Sequence, residues 1–269
     1  MLNPNNPFLK RCSHFGMITS FIKPKINIVM KKYFLKKAIS CPLIVFILLM
    51  LSAFSASDAS GMQEVRNPDN FSKISLSMAA KVYVVQGSEC RLKIEADEND
   101  LEKIETSVKD GKLEIKTKSW ASNLKDNVIV RITMPELTGL SVSGSGSVIA
   151  ESGFDCQELD LSVTGSGSIK MSKLKASTVE ALITGSGNIQ LDGEKTAGEL
   201  ALTITGSGNY SAEEMAVNHA RITITGSGSA RINVINELKT NITGSGNVTY
   251  RGDPVVNASA TGSGRTKKM

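Results

Sequence analysis

Apolar and polar residues alternate along the second half of the chain, and a Gly-Ser-Gly tripeptide interrupts the alternation at regular intervals. The seven tripeptides are 21, 20, 21, 20, 18 and 18 residues apart and start at Gly144, Gly165, Gly185, Gly206, Gly226, Gly244 and Gly262. Alternation with a period of two predicts strands that bury one face. A repeat of about 20 residues is typical of proteins built from stacked coils.

The residues before each tripeptide define an inward and an outward column. The second residue before the first glycine is always apolar: Val142, Val163, Ile183, Ile204, Ile224, Ile242 and Ala260. The residue directly before that glycine is predicted to face solvent, in an outward ladder of Thr164, Thr184, Thr205, Thr225 and Thr243. A single coil cannot bury its apolar side alone, so the coils are expected to stack about 4.8 Å apart.

These columns predict an all-β fold, a parallel β-solenoid with coils of about 20 residues. We expect it to be right-handed because parallel crossovers nearly always are. A β-sandwich with Gly-Ser-Gly turns is the alternative. The repeat disfavours it, because hairpin turns would not place the same residues in register.

Both glycines of each tripeptide are predicted to form a corner between strands, because a corner needs backbone angles that a Cβ forbids. The structural corner glycines are Gly144, Gly146, Gly165, Gly167, Gly185, Gly187, Gly206, Gly208, Gly226, Gly228, Gly244, Gly246, Gly262 and Gly264. Ser or Asn follows the second glycine in most repeats. Stacked coil on coil, these side chains are expected to form polar ladders along the corner.

The N-terminal residues have the pattern of an export signal. Basic residues in 31–37 precede an apolar run over 42–51 that is too short for a comfortable membrane span, and small residues follow. We interpret 30–58 as a signal peptide and 1–29 as an upstream extension that results from a misassigned start codon. A retained N-terminal anchor is the alternative. Cleavage would leave no membrane span.

The net charge of +5 arises in this leader. Residues 1–56 hold eight Lys or Arg and no Asp or Glu, which leaves 23 basic and 26 acidic residues in the remainder. A remainder with a net charge of −3 gives no indication of a nucleic-acid partner. Oligomer formation stays open at this point.

Residues 64–137 lack the tripeptide but keep short alternating segments, and Asp110-Gly111 is a hairpin signal. No linker separates this region from the repeats. We therefore predict that 64–137 is an irregular β region that caps one end of a Gly-Ser-Gly solenoid over 138–269.

The chain resembles the head GIN domain family of putative auto-transporter adhesins. The resemblance rests on the segments 82–87, 110–115 and 132–137 together with the Gly-Ser-Gly ladder, and it runs from about Phe71 to Gly264. It implies an exported β-helical protein of the Gram-negative envelope, located in the periplasm, on the outer membrane or outside the cell. It implies no catalytic residues.

A glycan-active β-helix enzyme is the main catalytic alternative. Asp155, Glu158 and Asp160 lie close in sequence, but no such cluster recurs in the other repeats. His219 is the sole histidine after the leader, which leaves no histidine pair for a metal site or a catalytic triad. We therefore predict no catalytic, metal-binding or cofactor-binding residues and no cofactor.

A few residues are candidates for contacts with a ligand. Trp120 lies in a polar stretch and is a possible contact residue or part of the end cap, whereas Tyr210 and Tyr250 occupy inward columns. The tripeptide at 251–253 spells Arg-Gly-Asp, which is more simply interpreted as a turn. The remaining cysteines, Cys90 and Cys156, are compatible with a disulfide or with two thiols.

The sequence thus predicts a non-enzymatic envelope or surface protein. Its function is expected to be adhesin-like binding of a surface ligand, either glycan or protein. A purely structural envelope scaffold is the second interpretation, and glycan cleavage is the third.

Overall fold

The computed structural model describes residues 62–119, 124 and 127–269. The upstream extension, the signal peptide and Trp120 lie outside the described residues. Residues Ala59–Met269 form a compact unit.

Strands make up 72% of the described residues. They are β1 (Met62–Arg66), β2 (Lys73–Ser77), β3 (Lys81–Gln86), β4 (Arg91–Ala96), β5 (Ile104–Lys109), β6 (Lys112–Thr117), β7 (Ile129–Met134), β8 (Gly139–Gly144), β9 (Ser147–Ala150), β10 (Asp155–Gly165), β11 (Ser168–Gly185), β12 (Asn188–Gly193), β13 (Ala197–Gly206), β14 (Asn209–Gly226), β15 (Ser229–Gly244), β16 (Asn247–Arg251), β17 (Val255–Gly262) and β18 (Arg265–Lys268). A single helical turn, α1 (Glu98–Leu101), precedes β5.

The repeats form a parallel β-solenoid of about six turns, so the predicted fold class is confirmed. Strands that enter the Gly-Ser-Gly corner pair in the order β8, β10, β11, β13, β14, β15 and β17. We call the side that they form the pre-corner face. Strands that leave the corner pair in the order β9, β11, β12, β14, β15, β16 and β18, and they form the post-corner face.

Residues 62–137 continue both faces. β2 pairs in parallel with β8 and β6, and β3 pairs in parallel with β9 and β7. Beyond them, β1 pairs with β4, β4 with β7, and β5 with β6, all antiparallel. Asp110 and Gly111 form the β5–β6 turn with φ of 51° and 70°, the left-handed angles that such a hairpin requires.

The antiparallel strands are tied together at this end of the solenoid. The Arg66 guanidinium of β1 donates to Oγ1 of Thr106 on β5 at 2.8 Å and to the carbonyl of Ile104 at 3.3 Å. These bonds join the two outermost strands of the pre-corner and post-corner faces. We propose on this basis that the segment acts as a cap, because it replaces open parallel edges with closed antiparallel pairs.

The core is one continuous stack of apolar columns. Ile183, Ile204 and Ile224 are each 0% exposed and lie directly above one another in register. The last coil has a neighbour on one side only, where β17 pairs with β15. Val256 of β17 therefore remains 38% exposed although it lies in an inward column. Burial in this stack therefore depends on having a coil on both sides.

Tyr210 is the largest side chain of the core. It lies in a column between Ile189 and the small Ala230, is 1% exposed, and its hydroxyl has no hydrogen-bond partner among the described residues. Burial raises its pKa well above the ordinary range for tyrosine. Tyr250, two coils further on in the neighbouring column, is half-buried against the core.

We expect a charge to lower the free energy of unfolding in the inward column and to have little effect on it in the outward column. Ile204→Asp would bury a carboxylate without a partner, and it should lower the free energy of unfolding by several kcal/mol. Thr205→Asp places the same group in solvent, and we expect a change within about 0.5 kcal/mol. Thermal and denaturant melts of both variants measure the difference. Equal effects, or a larger effect of Thr205→Asp, would contradict the assignment of faces.

Candidate functional site

Each corner is shaped by two glycines with different tasks. The first glycine of every tripeptide has a positive φ, from 98° at Gly144 to 121° at Gly226, which side chains rarely tolerate. The second glycine is not among the residues with positive φ. The expectation that both glycines serve the backbone angle is therefore right for the first and wrong for the second.

The second glycine is required by close packing between coils. A Cβ at Gly208 would lie 2.4 Å from Cγ2 of Ile183 and 2.8 Å from the carbonyl oxygen of Gly187. The same contact recurs at Gly187, Gly228 and Gly246, where an inward Val or Ile of the preceding coil packs against the second glycine. This contact fixes how closely one corner approaches the next.

Three outward columns of small polar residues follow the corner along the solenoid. The first is the threonine ladder, whose members Thr164, Thr184, Thr205, Thr225 and Thr243 are all exposed. The second consists of the exposed serines between the glycines: Ser145, Ser166, Ser186, Ser207, Ser227, Ser245 and Ser263. The third, after the second glycine, consists of Ser147, Ser168, Asn188, Asn209, Ser229 and Asn247, and ends at Arg265. We call these three columns the corner strip.

The corner strip is ordered by its own hydrogen bonds. The Asn209 amide donates to Oδ1 of Asn188 at 2.9 Å, and the Ser229 hydroxyl donates to Oδ1 of Asn209 at 2.6 Å. Beneath them, the Ser207 amide donates to the carbonyl of Gly185 at 2.8 Å, and this backbone bond recurs from coil to coil. The backbone bonds hold the corners at the spacing of the strands, and the side-chain bonds order the third column at Asn188, Asn209 and Ser229.

The first two columns of the strip contain no charged side chain, and the third contains one, Arg265 at its end. Hydroxyl and amide groups can both donate and accept hydrogen bonds, and they cost less to desolvate than ions do. The strip can therefore form many weak polar contacts with an extended partner. It has no group suited to acid–base catalysis.

The carboxylates considered for catalysis do not converge. Asp155, Glu158 and Asp160 are all exposed on β10. Asp155 lines one shallow depression with Lys175, and Asp160 lines another with Lys73. The structure thus brings none of the three into a shared cleft.

The one histidine among the described residues is exposed on the pre-corner face. His219 lies in register between Glu199 and Glu237. Nevertheless, the described residues contain no group of three or more His, Cys, Asp or Glu arranged to hold a metal ion.

The Arg-Gly-Asp tripeptide forms the turn between β16 and β17. Arg251 pairs with Glu213 at 3.3 Å and with Glu214 at 3.1 Å, and Asp253 pairs with Lys268. Gly252 has a φ of 94°. Both charged ends of the tripeptide are thus engaged within the chain.

Cys90 and Cys156, the cysteines of the described part of the chain, are free thiols. Cys90 is half-buried, and Cys156 is 9% exposed at the start of β10. Burial, together with the negative charges of Asp155 and Glu136, raises the pKa of the Cys156 thiol to about 11. This side chain therefore behaves as a small core residue at neutral pH.

Sequence reasoning missed one feature of the pre-corner face. The fifth residue before each tripeptide is outward, and in register these positions form a column that continues onto β2 and β6. Its members are Lys112, Lys73, Gly139, Asp160, Glu180, Ala201, Arg221, Lys239 and Asn257. We call it the charged column. Aligning the repeats at this position would have revealed most of it.

A family model described as "Putative auto-transporter adhesin, head GIN domain" matches residues 70–254. The chain belongs to this family. The matched residues include the parallel strands β2 and β3 of the N-terminal region as well as most of the repeats. The head GIN domain of this chain therefore includes strands on both sides of its first Gly-Ser-Gly corner. None of the curated proteins matches the chain.

Solved structures show the same fold. A putative adhesin from Bacteroides fragilis NCTC 9343 is 26% identical with a TM-score of 0.73, over 78% of this chain and 97% of that one. A putative adhesin from Parabacteroides merdae ATCC 43184 is 26% identical with a TM-score of 0.64, over 79% and 97% of the two chains. Both relatives thus match this chain over nearly their whole length.

A third structure has a different name. It is a putative lipid binding protein from Parabacteroides distasonis ATCC 8503, which is 24% identical with a TM-score of 0.62, over 79% of this chain and 98% of that one. At this identity the likeness shows the fold alone.

No helix among the described residues is long and apolar enough to cross a bilayer.

We expect the second corner glycine to be more sensitive to substitution than the serine beside it. Gly208→Ala would drive a methyl group into Ile183 and the Gly187 carbonyl, and should lower the free energy of unfolding by about 1–3 kcal/mol. Ser207→Ala is the matched control, because Ser207 is exposed. Denaturant melts compare the two. A Gly208→Ala variant as stable as Ser207→Ala would show that the coils do not pack this closely.

Proposed function

We propose that this chain is an exported, adhesin-like module that binds an extended polar ligand, glycan or protein, through the corner strip and performs no catalysis. The observation that carries the proposal is the unbroken register of the strip. Threonine, serine and serine or asparagine side chains repeat at the same three positions of consecutive coils.

The chemistry of the strip suits a polymer better than a small molecule. Its side chains recur about every 4.8 Å along the solenoid, so a ligand with regularly spaced polar groups can engage several coils at once. Each contact is weak, but linked contacts strengthen one another because the later ones form within an existing complex. Because the scaffold is rigid, less conformational entropy is lost when the side chains of the strip bind a ligand.

Three further points support the proposal. The family is described as "Putative auto-transporter adhesin, head GIN domain", and two similar solved structures are each described as a "putative adhesin". The N-terminal residues have the pattern of an export signal, and the candidate carboxylates lie apart from one another. A scaffold without a ligand is the second interpretation of the same geometry. It predicts that changes to the strip leave every binding measurement unaffected.

Bulky side chains on the strip provide the test. The double variant Thr205→Tyr/Thr243→Tyr keeps good strand formers at both positions but raises two rings above the threonine ladder. Ser211→Tyr/Thr249→Tyr is the matched control on the post-corner face, where Arg231 separates the two positions just as Thr225 separates the first pair.

The unit from Ala59 to Met269 and both variants would be applied to glycan arrays and to immobilised envelope proteins. We expect the first variant to lose at least tenfold in apparent affinity for the bound ligand, and the control to bind within threefold of the parent. Equal binding by both variants would contradict the assignment to the strip. Binding of the parent to no component of either panel would favour the scaffold.

A further inference from the structure

The charged column contains three stacked pairs of like charge. Lys112 lies beside Lys73, Asp160 beside Glu180, and Arg221 beside Lys239. The small residues Gly139 and Ala201 separate the pairs. Along the solenoid the pattern is therefore two positive residues, a gap, two negative residues, a gap and two positive residues.

Such an arrangement is unfavourable within one chain. Like charges directly opposite on neighbouring strands destabilise a sheet. Two ion pairs offset part of this cost. Lys73 Nζ reaches across the gap at Gly139 to Asp160 Oδ2 at 3.4 Å, and Lys112 Nζ lies 3.2 Å from Oε1 of Glu114 on its own strand. The side chains of Lys73 and Asp160 remain about half exposed, at 48% and 60%. The outer members, Lys112 and Glu180, are four strands apart and hence about 19 Å from each other, too far to pair.

We propose that the pre-corner face binds the pre-corner face of a second copy of this chain. The two solenoid axes are antiparallel, and the two copies are related by a two-fold axis that runs parallel to β8 and passes over Gly139. Residues equally distant from Gly139 then face each other across the interface. Lys73 faces Asp160 of the second copy, and Lys112 faces Glu180 of the second copy. The two-fold symmetry repeats both contacts, so four ion pairs form.

The outward column that contains Ser141 fits the same axis. Ser141 faces its own counterpart, and Ser75 faces Ser162 of the second copy, so small hydroxyl side chains meet on both sides. Leu182, an exposed apolar residue of this face at 41%, meets the aliphatic stem of Glu114. Gly139 has no side chain, and a Cβ there would have no neighbour closer than 3.4 Å, so the two faces can approach at the axis.

The other gap does not support an equivalent dimer. An axis at Ala201 would also place Glu180 opposite Arg221 and Asp160 opposite Lys239. However, Glu199 would then face its own counterpart, and Glu237 would face Glu158. These like-charge contacts favour the axis at Gly139.

The size of the interface predicts weak association. Five strands and three outward columns span about 24 Å by 14 Å on each copy, which buries roughly 700 Å² in total, less than a standard specific interface. Its exposed ion pairs are screened by salt. We therefore expect a reversible dimer that dissociates as ionic strength rises.

A charge-swap experiment tests the dimer, because Lys112 and Glu180 can meet only between copies. Sedimentation equilibrium of the Ala59–Met269 unit at low salt is expected to show a monomer–dimer equilibrium. Lys112→Glu and Glu180→Lys should each raise the dissociation constant at least tenfold. The double variant Lys112→Glu/Glu180→Lys should return it to within threefold of the parent value.

Arg221→Glu is the matched control. It reverses a charge of the same column but lies outside the five strands, so the dissociation constant should change less than threefold. Gly139→Trp should abolish dimerisation while circular dichroism confirms the fold. A parent unit that stays monomeric up to millimolar concentration at low salt, or a double variant no better than the singles, would overturn the proposal. Variants of the corner strip at Thr205 and Thr243 lie outside this footprint, so the two proposals can fail separately.

Discussion

The contact between successive corners is the constraint on which the other features depend. The first glycine turns the chain with a positive φ, and its carbonyl accepts the amide of the serine one coil further on, as Ser227 donates to Gly206 at 2.8 Å. The second glycine has no side chain, which allows an inward isoleucine of the preceding coil to pack directly against it. Because side chains alternate with a period of two, a slip of one residue here would turn every column to the wrong face. Register at the corner therefore determines both the core and the surface.

Much of this architecture was predictable from the sequence. The corner repeats identical residues, so the inward column with Ile204 and the outward ladder with Thr205 follow from their distance to Gly206. The reason for Gly208 did not follow, because its conflict with Ile183 is a contact between coils. Tyr250 is inward as expected but only half-buried, since burial near the last coil depends on how many coils cover it.

The candidate functional surfaces were harder to predict. The threonine ladder is visible in the sequence because its members are identical. The charged column was missed because its members differ in type, and Lys73 and Lys112 join it only through the pairing of β2 and β6 with the repeats. Non-repetitive surface patterns emerge only once strands from distant parts of the chain are placed side by side.

The same scaffold thus presents surfaces of different chemistry on adjoining sides. The corner strip is repetitive and, apart from Arg265 at its end, uncharged, which suits many equivalent weak contacts with an extended ligand. The charged column is patterned, which suits one specific register with one partner. Stacked coils allow this separation, because each column can vary while the inward columns maintain the core.

Disulfide trapping across adjacent coils tests the in-register stack most directly. In the Ala59–Met269 unit with Cys90 and Cys156 replaced by alanine, Thr184→Cys/Thr205→Cys places two thiols on directly paired residues, with Cα atoms about 4.8 Å apart and within disulfide range. Thr184→Cys/Thr225→Cys places them two coils apart, at about 9.6 Å and out of range. Mass spectrometry after mild oxidation should find an intramolecular disulfide in the first variant and two free thiols in the second. Free thiols in the first variant, or equal oxidation of both, would contradict the stack.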